Sequence, residues 1–197
     1  LSVPNWFWEG DAVFQETLVS KQGRGRLPLF LTGCLSLWLS GKNYSWMKLR
    51  NGSLRDYTPD YYPLGYMMVA YGREKYGADF WRKTAVDAAA FKGLFYPLQS
   101  SIFKHTGISF RQYRKQAFAY FRDQLPAEAY GDPNAAYGRQ HPHCAADETF
   151  PQFIDSNRVV FLKTTYRQPP QFVEIDLNNH REKRIRYRAV SSDDQFS

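Results

Sequence analysis

Glu9 is the residue whose setting first suggests chemistry. It stands in Trp6-Phe7-Trp8-Glu9-Gly10-Asp11-Ala12, a carboxylate between aromatic residues and a small-residue step. A carboxylate drawn towards an apolar core needs a charge partner or a metal, because an unpaired buried charge is costly. Gly10 and Ala12 are small enough to let a second helix come close. Zinc accepts a carboxylate beside histidine ligands, usually in a set of four. Metal ligation and a structural salt bridge or cap interaction are therefore both open for Glu9. Arg24 and Arg26 could hold a peptide carboxylate through paired N–H donors, or could be solvated or structural. His141-Pro142-His143-Cys144 contains metal-ligating residue types. Its intervening proline and its loop-like surroundings read instead as a flexible segment, and a metal site there would need a fourth group held in place.

The elements that must position these residues follow from periodicity and caps. Apolar residues at helical spacing after Pro4 predict a helix from about Pro4 to Ser20, ended by Gly23-Arg24-Gly25-Arg26. A second helix is predicted over Pro28 to Leu39, with Cys34 as a small core residue. Residues 41–59 are turn-rich, with Trp46 and Tyr57 as anchors. A strong helix follows over Tyr61 to Tyr76, with Asp60 as N-cap and Gly77 as stop. Ala78 to Ala90 is predicted helical with Phe80, Trp81 and Val86 inward, and Leu94 to Gly107 is a further helix. Ser109 then caps a helix reaching Leu125, and Gln112 completes a capping box. Trp6, Phe7 and Trp8 read as core rather than as a substrate platform.

At Pro126 the composition changes. Residues 126–156 read as a linker, and from 157 onwards the period becomes two. Val159 to Leu162, Phe172 to Ile175 and Ile185 to Tyr187 read as three short strands, with turns at Pro169-Pro170 and Asn178-Asn179. The predicted organisation is thus a helical unit over 1–125, a linker over 126–156 and an antiparallel β segment over 157–197.

Bulk composition narrows the classes. The chain has 197 residues, 43% hydrophobic and 17% aromatic, which suits a packed core and argues against global disorder. Its net charge is +7, from 26 basic and 19 acidic residues. The basic residues read as scattered, and the densest run, His180 to Arg188, alternates like an exposed strand face, so no nucleic-acid partner is expected. No run approaches a membrane span and no signal peptide is visible. The chain opens without Met, directly on an apolar helix pattern, and reads as a fragment or a processed product.

Several of these segments together resemble the gluzincin zinc peptidases, the group that includes aminopeptidase N-like enzymes. Trp6-Phe7-Trp8-Glu9-Gly10-Asp11-Ala12 is similar to their W-x-x-E-G-x-A element, in which the glutamate is the third zinc ligand. Trp8 and Asp11 depart from the residues common there. Tyr62-Pro63-Leu64-Gly65 resembles the Y-x-x-G element, whose tyrosine hydrogen-bonds the oxyanion of the tetrahedral intermediate. Tyr61 is a register alternative, and a plain core tyrosine is the other reading of Tyr62. Gly23 to Pro28 and Gly52 to Pro59 are similar to segments of a bacterial peptidase-like subgroup. The resemblance spans roughly residues 4–125, and the final segment resembles the opening strands of a TolB-like propeller.

The resemblance implies a mainly α fold: the helical C-terminal half of a gluzincin domain, followed by a small antiparallel β segment. It implies Glu9 as metal ligand, Tyr62 as catalytic hydroxyl, and a peptide or protein substrate, with Arg24 and Arg26 as candidate substrate-binding residues. It also implies export or a cell-envelope location in bacteria. The helix carrying HExxH is missing: the chain has four histidines, at 105, 141, 143 and 180, and none lies in such a motif. The expectation is therefore zinc in an intact parent, none bound by this fragment, and no activity of the fragment alone. The alternative is a non-catalytic peptide- or glycan-binding module of a cell-envelope protein.

Overall fold

The computed structural model describes residues 2–53, 56–124, 146–165 and 168–187. Among these, the fold is mainly α, with seven helices followed by a four-stranded antiparallel sheet. The helices and the sheet belong to two separate units, each described by itself.

In the helical unit, helix α1 (Asn5–Val19) buries Trp6, Phe7, Gly10, Val13 and Thr17, a single stripe at helical spacing. Trp8 falls off that stripe and is 54% exposed, so it is not core as the sequence suggested. A 3-10 turn (Arg24–Arg26) leads into α2 (Pro28–Leu39). Helix α3 (Trp46–Asn51) is one the turn-rich sequence does not announce. It has six residues and starts where Ser45 Oγ accepts from Lys48 N.

Helix α4 (Tyr61–Tyr76) is the central element of the unit, with nine residues of its interior buried from Pro63 to Gly72. The Asp60 carboxylate caps it by accepting from Tyr62 N, and Gly77, at φ 92°, stops it. Helices α5 (Phe80–Ala89), α6 (Pro97–Thr106) and α7 (Phe110–Gln124) complete the unit. In α5 the buried stripe runs through Phe80, Trp81, Thr84 and Ala88. Val86 lies off this stripe and is 60% exposed, contrary to the inward placement read from sequence. The capping box of α7 is present: Ser109 Oγ accepts from Gln112 N, while Gln112 Oε1 accepts from Ser109 N.

Two apolar clusters hold the helices together. One joins Trp6, Phe7, Trp81, Phe110 and Tyr113 around α4. Within it, Tyr113 Oη donates to the Met68 carbonyl at 2.7 Å and Trp81 Nε1 donates to the Val69 carbonyl at 2.9 Å. Gly72 makes room for both rings, since a side chain there would overlap the Tyr113 hydroxyl and crowd the Trp81 nitrogen. The second cluster gathers Val13, Leu31, Cys34, Leu64, Tyr66 and Met67.

The sheet unit is a meander in the order β1 (Ala146–Phe153), β2 (Arg158–Thr165), β3 (Gln171–Asp176) and β4 (Arg181–Tyr187). The three strands predicted from sequence appear as β2, β3 and β4. Strand β1 is additional and lies inside the stretch read as linker. Its pairing slips between Thr149 and Gln152, so Phe150 and Pro151 together stand opposite one residue of β2. That bulge, with Phe150 at φ 55°, is how an edge strand accommodates a proline. Cross-strand pairs Val159–Ile175 and Phe161–Val173 form the small apolar core. Strand β4 is exposed along nearly its whole length, in keeping with its alternating basic sequence. No helix among the described residues is long and apolar enough to cross a membrane.

Candidate functional site

The site is built by the contact of α1 with α4. Gly10 and Gly65 face one another with backbone against backbone. A side chain at Gly65 would overlap the Trp6 carbonyl, and one at Gly10 would overlap the backbone of Gly65. Interlocked glycines of this kind let helix axes come closer than side-chain packing allows. Glu9 immediately precedes Gly10, and Tyr62 lies one turn before Gly65. The close crossing thus sets the Glu9 carboxylate beside the Tyr62 hydroxyl.

Electrostatics records the contact. The Glu9 carboxylate favours the protonated phenol and, with lesser contributions from partial burial and from Tyr61, pushes the Tyr62 pKa up to about 12. Glu9 and Tyr62 are both half-buried, so each keeps a path to solvent. Tyr61 stacks obliquely beside Tyr62, with ring centroids 5.0 Å apart.

Arg24 reaches the same corner. Its guanidinium lies over the Tyr62 ring, 5.7 Å from the centroid. Its Nε donates to Glu16 Oε2 at 2.8 Å and its backbone N–H to Glu16 Oε1 at 3.1 Å. This pairing holds the Glu16 carboxyl below its ordinary range. Arg26 donates to the Ser20 carbonyl, and between them Gly25 N donates to Thr17 Oγ1 at 3.0 Å. Of the four residues singled out in the sequence, Glu9, Tyr62 and Arg24 therefore converge. Arg24 and Arg26 both have partners within their own chain, which pin the 3-10 turn to α1.

Glu9 contributes carboxylate oxygens, and among the described residues no group of three or more His, Cys, Asp or Glu side chains could hold an ion. His105 belongs elsewhere, with its Nε2 2.6 Å from Asp87 Oδ2, next to the Lys104–Asp87 ion pair of 2.8 Å. His141, His143 and Cys144 lie outside the described residues. The described donors fit one ligand of a zinc site and do not fit a complete one.

A second feature was not recognised in the sequence. A cavity of about 690 Å³ opens between α2, the loop after it, α3 and α7. Its wall carries Lys42, Arg111, Arg114, Lys115 and Arg122, and among the described residues no acidic side chain lines it. The available signal was the spacing on α7, where positions 111, 114, 115, 118 and 122 share one helical face. Cys34 also lines it, buried, with its thiol pushed up to about 12 by desolvation.

Comparison of the chain with protein-family models, with curated proteins and with solved structures finds no match.

Proposed function

We propose that the helical unit is the part of a gluzincin-type peptidase domain that supplies the carboxylate ligand, Glu9, and the oxyanion-stabilising hydroxyl, Tyr62. The observation carrying this reading is their meeting across the Gly10–Gly65 crossing, from two helices remote in sequence. The order of the W-x-x-E-G-x-A and Y-x-x-G segments supports it, because each places its functional residue one step or one turn from a crossing glycine. The four-stranded meander supports the propeller resemblance, since propeller blades are sheets of this form.

Zinc would supply the chemistry of polarising a carbonyl and activating a water. The chain's own residues do the following. Glu9 offers one carboxylate to a cation. Tyr62 stays protonated at neutral pH and is therefore a hydrogen-bond donor. While Glu9 carries a free charge, it holds the Tyr62 proton towards itself. Were Glu9 engaged as a ligand, Tyr62 would be able to donate to an oxygen on which charge develops. Arg24, over the Tyr62 ring and anchored by Glu16, steadies the ring's orientation. The reading requires the two histidines and the general base to come from sequence outside these 197 residues, with a peptide as substrate.

The test is zinc affinity and peptide hydrolysis by the full-length gene product. Glu9→Ala is expected to weaken zinc binding by more than roughly 10- to 100-fold, the loss typical of removing only an outer-shell partner of a ligand. Tyr62→Phe is expected to lower kcat by about 100-fold at unchanged zinc content. A full-length protein indifferent to Glu9→Ala in zinc binding and without hydrolysis contradicts the reading.

A further inference from the structure

The cavity between α2, α3 and α7 gathers charge in a way the Glu9–Tyr62 site does not explain. Helix α7 turns Arg111, Arg114, Lys115, Phe118 and Arg122 to it, and Lys42 stands in the loop after α2. Lys42, Arg111, Arg114 and Lys115 have no carboxylate within ion-pair distance among the described residues, and Arg122 pairs with its own neighbour Asp123 at 3.4 Å. Like charges three and four residues apart weaken a helix. Arg111, Arg114 and Lys115 therefore cost α7 stability unless an anion neutralises them.

Arg114 shows how such an anion would be met. Its guanidinium lies over the Trp46 ring at 4.9 Å and is half-buried. Burial, with Arg111 beside it, draws its pKa down, and among the described residues no carboxylate pairs with it. With one face of the guanidinium against the indole, its edge is the part left to donate, and that edge matches two oxygens of a phosphate. Trp38, Tyr44 and Phe118 line the same space and give it an aromatic wall.

We propose that this cavity binds a small organic polyphosphate bearing an aromatic ring, a ligand of the nucleotide class. Four cations without a carboxylate partner among the described residues, and a fifth paired with its chain neighbour, call for several negative charges on one molecule, which a chain of phosphates supplies over a short length. From Arg111 to Arg122 the rise of the helix is roughly 16 Å, about the span of a nucleoside triphosphate and its base. The cavity volume lies within the range typical of small-molecule sites. The five cations line one cavity of small-molecule size, which favours a small ligand over a nucleic-acid strand. The ring-bearing end would stack on Trp38, because Lys48 Nζ already lies over the Tyr44 ring, 3.8 Å from its centroid, while the phosphates would lie along α7.

The test is isothermal titration of the whole chain with ATP, tripolyphosphate, adenosine and a twelve-residue oligothymidylate. ATP is expected to bind, tripolyphosphate to bind about tenfold more weakly for lack of stacking, and adenosine not to bind. The double variant Arg111→Glu with Lys115→Glu changes two exposed side chains and is expected to lose at least about 100-fold in ATP affinity. Lys42→Glu, on another element, is expected to lose about tenfold, so the outcome does not depend on α7 folding in the double variant. Trp38→Ala should weaken ATP and leave tripolyphosphate unchanged. The proposal is overturned if ATP does not bind, if Lys42→Glu and a helical double variant both retain full affinity, or if the oligothymidylate binds more tightly than ATP.

Discussion

The Glu9 carboxylate lies beside the Tyr62 hydroxyl, across a helix crossing so close that neither Gly10 nor Gly65 can carry a side chain. Gly10, read from sequence as letting a second helix come close, and Gly65, read only as part of the Y-x-x-G segment, thereby become the device that sets the separation of two polar groups. The separation of Glu9 from Tyr62 depends on that crossing, and the crossing can be tested by itself.

Gly65→Ala forces a methyl group into the Trp6 carbonyl, which is backbone and cannot rotate away. Overpacking of this kind costs about 1–3 kcal/mol, and here the upper end is expected. Urea denaturation should show the loss. The same variant should bring the Tyr62 pKa down, because the helices must move apart.

Tyr113→Phe removes one hydroxyl from a fully buried ring whose donor contacts the Met68 carbonyl. A single buried hydrogen bond contributes about 1 kcal/mol, so a loss of that size is expected. Tyr113→Ala, which also empties the space between α4 and α7, should cost about 3–5 kcal/mol. Equal losses in the two variants, measured by thermal or urea unfolding, would show that the ring contributes nothing.

Much of the helical unit was legible because its signals are local. Asp60, Ser109 and Gln112 cap where they are expected to cap, and Gly77 stops α4 with a positive φ. What failed depended on angle or on length. Val86 and Trp8 are apolar, but neither falls on the buried stripe of its helix. Helix α3 is too short to show a period, and β1 was hidden by the proline that its bulge absorbs. The candidate site was legible as two separate motifs, while their meeting required the crossing. The basic cavity was not legible, because its cations become a group only when α7 stands across from the loop after α2.

The Asp87 carboxyl is held below its ordinary value by hydrogen bonds from Lys104 and His105. Its folded pKa is depressed, so its contribution to stability is present above the unfolded value near 4 and is lost as pH falls through the folded one. Asp87→Asn should flatten the acid limb of the stability curve and leave the curve above pH 5 nearly parallel to wild type. Urea midpoints measured from pH 2 to pH 6 would check it.

Cys34 is buried and its thiol is raised to about 12, so almost no thiolate exists at neutral pH. In a Cys144→Ser background, a disulfide reagent at pH 7.5 should label Cys34 only as fast as the helical unit opens. Denaturant should release it at once. Rapid labelling of the folded protein would contradict the burial.

The Glu9–Tyr62 pair is tested most directly by the Tyr62 titration curve, from NMR of tyrosines labelled at the Cζ carbon and assigned with Tyr62→Phe. The folded pKa lies above the unfolded value near 10. The pairing therefore stabilises the fold below about pH 10 and is lost as pH rises from about 10 towards about 12. Tyr62 is expected to titrate near 12 in the wild-type chain and to shift back towards 10 in Glu9→Gln. A Tyr62 that titrates near 10 in the wild type, or that is unmoved by Glu9→Gln, would contradict the pairing.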